Sequence, residues 1–215
     1  IAWAVVERLH QQGAELGLTF LRDPKGRFEA HVRKLGEQTS ATLIAECDVA
    51  SDESIEALIK QVDEQWGELD FLVHSLAYAD TQDLSKPFSE TLRDGFNKAL
   101  EISAYSLLPL AKGVIPMMRK RGGGSIVSMS FIGSTLAVPN YNVMGPAKAA
   151  LESCTRYLAR ELGPENIRIN SLSPGAIRTL SSAGIKDISE MIRVAGEHSA
   201  MKRTATQAEV ANTAA

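Results

Sequence analysis

The sequence predicts a single doubly wound α/β domain, and three observations carry that prediction. Short runs rich in Val, Ile and Leu recur without the alternation of a half-exposed strand, as in Leu69 to His74 and Ile167 to Leu172, so both faces should be covered. Segments of helical spacing separate the runs and are long enough for the crossovers that parallel strands need. No repeat, low-complexity tract or Pro/Ser-rich linker divides the 215 residues, so 1–215 reads as one domain.

The elements follow in order. Residues 2–12 place Val5, Val6 and Leu9 at helical intervals among Glu7, Arg8 and Gln11, and Gly13 suits the stop. Leu16 to Leu21 is the first strand. A polar helix near 27–38, a strand over Thr42 to Cys47, a helix over Asp52 to Trp66 and a strand over Leu69 to His74 continue as strand–helix units. A helical stretch near 90–120, interrupted at Pro109 and Pro116, leads through Gly122, Gly123 and Gly124 into a strand over Ser125 to Met129. A helix from about Pro146 to Leu162 precedes the strand Ile167 to Leu172. The less regular C-terminal stretch is expected to be a substrate-binding lid at about 179–197, with Ser181, Ser182, Ala183 and Gly184 small enough to let it move. The chain opens without Met inside a helical pattern and stops inside another. It therefore reads as partial, a Rossmann-like sheet lacking its first and last strands.

Composition narrows the function classes. With 44% hydrophobic residues the chain can bury one core without disulfides or metal. Its 26 acidic and 23 basic side chains are dispersed, which gives no footprint for nucleic acid. Cys47 and Cys154 have no neighbouring Cys or His at metal-ligand spacing and read as reduced thiols. No apolar run approaches the roughly 20 residues that span a bilayer, and the opening residues do not form a signal peptide. A cytoplasmic protein without metal, membrane or nucleic acid is expected.

Ligands of an open parallel sheet bind beyond the carboxyl ends of its strands. The segments to read are Leu21 to Asp23, Asp48-Val49, Ser75 to Ala79, Ser130 to Gly133 and Ser173 to Thr179. Small polar residues in such turns have ordinary conformational reasons to be there, so none is diagnostic alone. Tyr141 followed by Lys148 is sharper. On a continuous helix seven residues return to about 20° from the starting direction and rise roughly 10.5 Å, so the two would share a face with room for a ribose between them. A phenol can donate to an oxygen that becomes negative, and a nearby ammonium would lower its pKa. Pro146 falls inside this interval, so the helix is expected to begin near it and Tyr141 to lie on the approach.

The run Asn140 to Gly145, Ala147-Lys148-Ala149, Arg156-Tyr157, Leu162 to Pro164, Ile177 to Leu180 and Ala183 to Asp187 resembles bacterial enoyl-(acyl carrier protein) reductases of the short-chain dehydrogenase/reductase superfamily. The likeness extends over essentially the whole chain. Six residues separate the Tyr and Lys of these enzymes, against three in ordinary short-chain dehydrogenases. The resemblance implies hydride transfer from NADH, with NADPH open, to the β-carbon of a trans-2-enoyl-(acyl carrier protein) thioester in fatty-acid elongation. It implies Tyr141 at the thioester carbonyl, Lys148 on the nicotinamide ribose, and Phe131 in the catalytic group. It places Ile1 and Ala2 at the end of the phosphate-binding segment, and Leu21, Asp48 and Val49 on the adenosine side. Ser75 and Leu76 would lie near the middle of the cofactor, and Ile177, Arg178, Thr179, Leu180 and Ser181 at its carboxamide and diphosphate. Ala79, Phe131, Tyr141 and Met144 would meet the acyl substrate. A homotetramer is implied as well.

Two departures stand out. Many members carry a second Tyr where this chain has Phe131, which removes a hydroxyl; many carry Gln where it has Leu21, and Arg22 beside it could favour a 2′-phosphate. Two rival readings remain. A ketoreductase would use Ser128, Tyr141 and Lys148, and a non-catalytic dinucleotide-binding protein would use the scaffold alone.

Overall fold

A computed structural model describes residues 1–179, 182 and 187–215. Its elements are α1 (Ala2–Gln11), β1 (Gly17–Phe20), α2 (Arg27–Thr39), β2 (Leu43–Glu46), α3 (Asp52–Trp66), β3 (Phe71–His74), α4 (Thr81–Ser85), α5 (Arg93–Leu100), α6 (Leu107–Lys120), β4 (Gly124–Met129), α7 (Met144–Leu162), β5 (Ile167–Leu172), α8 (Ile188–His198) and α9 (Gln207–Ala214).

Every strand pair is parallel, β1 with β2, and β4 between β3 and β5. Among the described residues β1 and β3 do not pair with each other. Their side chains alternate between two covered faces. Ile126 of β4 and Ile167 and Ile169 of β5 join a core built with α3, α6 and α7. Val127 and Met129 of β4 and Phe71 and Val73 of β3 point the other way, onto α1 and α9. Helices on both faces of a parallel sheet are the predicted doubly wound architecture.

Local chemistry explains the boundaries. Ser51 caps α3 by accepting from the Ser54 N–H at 3.1 Å, Asp52 and Glu53 suit its positive end, and Gly67 at φ 68° closes it. Thr206 and Glu209 form a reciprocal capping box at the start of α9. Gly113 lets α6 lie against α3, since a Cβ there would come within 2.4 Å of Ile59 Cγ1.

The structure corrects one expectation and qualifies others. The stretch near 90–120 breaks ahead of Pro109, at a π-helical turn over Glu101–Tyr105 in which the Ser106 N–H donates to the Glu101 carbonyl at 3.0 Å. Pro109 itself sits in the first turn of α6, where its missing N–H costs no helical bond. The basic run at the end of α6 is ion-paired: Arg119 pairs with Glu165, Lys120 with Asp63, and Arg121 with Asp70 and Glu68. The expected lid is described only in part. α8 covers its second half, whereas Leu180, Ser181 and residues 183–186 lie outside the described residues.

Candidate active site

The segments that follow β3, β4 and β5 open into a cavity of about 630 Å³. Ser75 to Ala79, Met129 to Phe131 and Pro174 to Ile177 form its base, in keeping with the rule for ligand sites in open sheets. Thr81 and Leu84 of α4 and Ile188 and Met191 of α8 supply facing walls, and Ile1, Ala2 and Trp3 bring the start of α1 to the same space. The positive N-terminal end of this ten-residue helix therefore lies at the cavity.

Tyr141 lies on the cavity wall but before α7, in a run of turns where the Met144 N–H donates to the Tyr141 carbonyl at 3.0 Å and the Gly145 N–H to the Asn142 carbonyl at 2.9 Å. Both flanking residues have positive φ, 63° at Asn140 and 42° at Asn142, a region that Asn tolerates better than most side chains. The helix begins at Met144 and not at Pro146, so Pro146 occupies its first turn, where it is tolerated. The ideal-helix spacing of Tyr141 and Lys148 therefore does not apply.

The Tyr141 ring is held from two sides. It packs against Phe131 with ring centroids 4.7 Å apart and planes tilted by 55°. It also rests on Gly133, where a Cβ would stand 2.5 Å from Tyr141 Cδ1. Burial holds the phenol pKa above its ordinary value, so it is a protonated donor. The expected lowering by the Lys148 ammonium is not seen, because desolvation dominates.

Lys148 is 5% exposed, lines the cavity and donates from Nζ to the Met129 carbonyl at 2.7 Å. Burial pulls its pKa down to about 8, and Glu152, one turn further along α7, works in the opposite direction. The Ser130 hydroxyl, also on the cavity wall, donates to the Glu152 carboxylate.

Most of the expected site residues converge here. Ile1, Ala2, Ser75, Leu76, Ala79, Phe131, Tyr141, Met144, Lys148, Ile177 and Thr179 all line the cavity. Leu21, Asp48, Val49 and Arg178 do not. Leu21 is exposed after β1, and the Asp48 carboxylate accepts from the Ala50 N–H at 3.0 Å in the turn before α3. Val49 packs on the core, and Arg178 turns toward α8 to donate to Ser189 Oγ at 2.8 Å. Leu180 and Ser181 lie outside the described residues. Arg22 is engaged as well, 2.6 Å from the Glu46 carboxylate. Sequence reasoning missed Trp3, Thr81, Leu84, Ile188 and Gln207 on the walls. Helical spacing within α8 was the one available signal, for Ile188 beside Met191.

Ser128 and the histidine that ends β3 are placed away from the cavity surface. Ser128 is fully buried and forms a closed hydroxyl cluster, 2.7 Å from Ser171 Oγ and 3.3 Å from Thr155 Oγ1. It does not face the cavity, which removes the serine that a ketoreductase needs. His74 is 1% exposed, with Nε2 2.9 Å from Ser106 Oγ. Ser106 in turn donates to the Ile102 carbonyl at 2.7 Å, so Nε2 is the donor of the pair. Burial, reinforced by the Lys148 charge, lowers the His74 pKa to about 4. His74 is a structural neutral imidazole. Among the described residues no group of His, Cys, Asp and Glu could hold a metal.

Comparisons with known proteins agree with this geometry. The family described as Enoyl-(Acyl carrier protein) reductase matches residues 1–215. The enoyl-(acyl carrier protein) reductase (NADH) FabI of Synechocystis is 48% identical over 215 residues, which cover all of this chain and 83% of that protein. The crystal structure of enoyl-(acyl carrier protein) reductase (NADH) from Aquifex aeolicus superposes with a TM-score of 0.93 at 38% identity, over 99% of this chain and 82% of that one. The Bacillus cereus enoyl-acyl carrier protein reductase, solved with NADP+ and indole naphthyridinone, gives 0.92 at 38% identity over 99% and 82%. With its whole length matched by the family and its cavity lined by the expected tyrosine and lysine, the chain belongs to the enoyl-(acyl carrier protein) reductase family.

Proposed function

We propose that this protein reduces trans-2-enoyl thioesters carried on acyl carrier protein, using NADH, in the reductive step of fatty-acid elongation. The observation that carries the proposal is one cavity bounded by the start of α1 and the Lys148 ammonium and lined by Tyr141 with the apolar Phe131 and Met144. The residues present fit a dinucleotide. The N-terminal end of α1 at the cavity suits a diphosphate, and the buried Lys148 ammonium, free to make further hydrogen bonds, suits ribose hydroxyls. Leu21, Asp48 and Val49, in the loops after β1 and β2, are assigned to the adenosine end. Arg178, Leu180 and Ser181, with Ile177 and Thr179, are assigned to the carboxamide and diphosphate.

When bound, a reduced nicotinamide would supply the hydride to the β-carbon, and the α-carbon of the resulting enolate would take its proton from water. Tyr141, kept protonated by burial, donates a hydrogen bond to the thioester carbonyl and stabilises the negative charge that develops there. Phe131 seats the phenol and lines the acyl pocket with Met144 and the backbone of Ala79. It has no hydroxyl of its own, so no proton transfer is assigned to it. Glu46 neutralises the cation that would greet a 2′-phosphate, which supports NADH over NADPH.

A homo-oligomer, a tetramer by family resemblance, and a cytoplasmic location complete the proposal. No described helix is long and apolar enough to cross a membrane. The test is oxidation of NADH and of NADPH with crotonyl thioester, with a β-ketoacyl thioester as control and Tyr141→Phe in parallel. NADH-dependent enoyl reduction lost in the variant is expected. Turnover confined to the ketone, or cofactor binding without turnover, would overturn the proposal.

A further inference from the structure

Asn142 follows Tyr141 directly, and its side chain reaches away from the turn that contains it. Nδ2 donates to the Asp83 carbonyl at 3.1 Å and to the Lys86 carbonyl at 2.9 Å. Both carbonyls belong to the end of α4, the five-residue helix whose Thr81 and Leu84 form a cavity wall. The end of α4 needs outside donors for a reason visible in the sequence. The residue four beyond Asp83 is Pro87, which has no N–H to continue the helical ladder. A positive φ at Asn142 alone does not require this amide, since glycine would adopt the turn as readily.

We propose that Asn142 is a positioning residue for enoyl reduction: its amide clamps the α4 wall to the backbone that carries the Tyr141 phenol. Phenol and wall are then one body, and the thioester lying against Thr81 and Leu84 meets the phenol in a fixed direction. Asp83 extends the connection. Its Oδ1 accepts from the Leu92 N–H at 3.4 Å, and a Cβ on Gly95 would fall 1.9 Å from its Oδ2, so α4 is wedged against the start of α5 on its far side. Among the described residues the wall has support behind it and one side chain tying it in front, Asn142. The inference rests on the reading of this cavity as an enoyl thioester site.

Asn142→Gly keeps the turn and removes the clamp, and Asn142→Asp keeps the size but loses both donors. In the full-length protein, both are expected to lower kcat/KM for crotonyl thioester by about tenfold or more, mostly in kcat, because small misplacements of a reacting group are costly. The NADH dissociation constant of Asn142→Gly should stay at the parent value, and its melting temperature should fall by only a few degrees, about the loss of two partly exposed hydrogen bonds. Parent-like kcat in Asn142→Gly would overturn the inference and leave Asn142 a turn residue. Joint loss of NADH affinity, melting temperature and activity in both variants would overturn it in favour of a purely structural role. Failure of the parent protein to reduce crotonyl thioester would instead strike the functional reading beneath it.

Discussion

At the scale of single residues, the face proposed for catalysis depends on a glycine that bears no chemistry. Gly133 gives the Tyr141 ring its seat, and a methyl group there would have to push the ring or the backbone aside. Gly133→Ala is expected to reduce kcat by about a hundredfold, the cost of roughly an ångström of misplacement. Steady-state kinetics alongside a melting curve checks it; parent-like kcat would show that the seat is not needed. Lys148 makes the second residue-scale prediction. Its pKa near 8 in the free protein means that the ammonium is lost as pH rises through that value. Apparent kcat/KM for NADH should therefore fall on the alkaline side with a midpoint near 8, as a pH profile at subsaturating cofactor would show. A profile flat well above that midpoint would contradict a role for the charge. That Tyr141 and Lys148 would line one cavity was legible through the resemblance their residue types and six-residue interval carry, and not through helix geometry. The Arg22–Glu46 pair was not, because it exists only once the β1–β2 register sets Phe20 beside Glu46 and brings the loop after β1 to the same edge.

Elements were legible in proportion to their length and periodicity. The bounds of α3 and β5 coincide with the sequence reading, since caps and turn glycines or a buried apolar run mark their ends. α4 escaped it: five residues contain too little periodicity to register, and its role comes from the wall it presents. Pro146 was read as the start of α7, two residues late, because the first helical turn accepts proline beyond its first position. The ion pairs of Arg119, Lys120 and Arg121 were invisible for a different reason. Their partners come from α3, from the turn before β3 and from the turn before β5, and only the tertiary fold collects them.

At the scale of the whole molecule, fold class followed from alternating strand and helix signals, while which strands pair, and in what register, is something no local pattern reports. The global stability should carry the signature of His74. Its folded pKa of about 4 lies below the ordinary value of 6.5, so between these values the unfolded chain binds a proton that the folded one refuses. The contribution is complete above pH 6.5 and is lost as pH falls toward 4, by about 3 kcal/mol. Urea midpoints across that window should decline, and the decline should shrink in His74→Gln. Equal slopes in parent and variant would assign the acid sensitivity elsewhere.

The hydroxyl cluster of Ser128, Thr155 and Ser171 ties β4, α7 and β5 together, and the Thr155 hydroxyl also lies 2.9 Å from Ser171 Oγ. Its members are interdependent. Removing one leaves buried hydroxyls short of a partner, whereas replacing all three by apolar groups of similar shape leaves none stranded. Sequence drift at these positions is thus expected to proceed in sets and not one site at a time. A sliding α7 would break the same cluster, so the helix that carries Lys148 is pinned in register by groups that never meet the substrate.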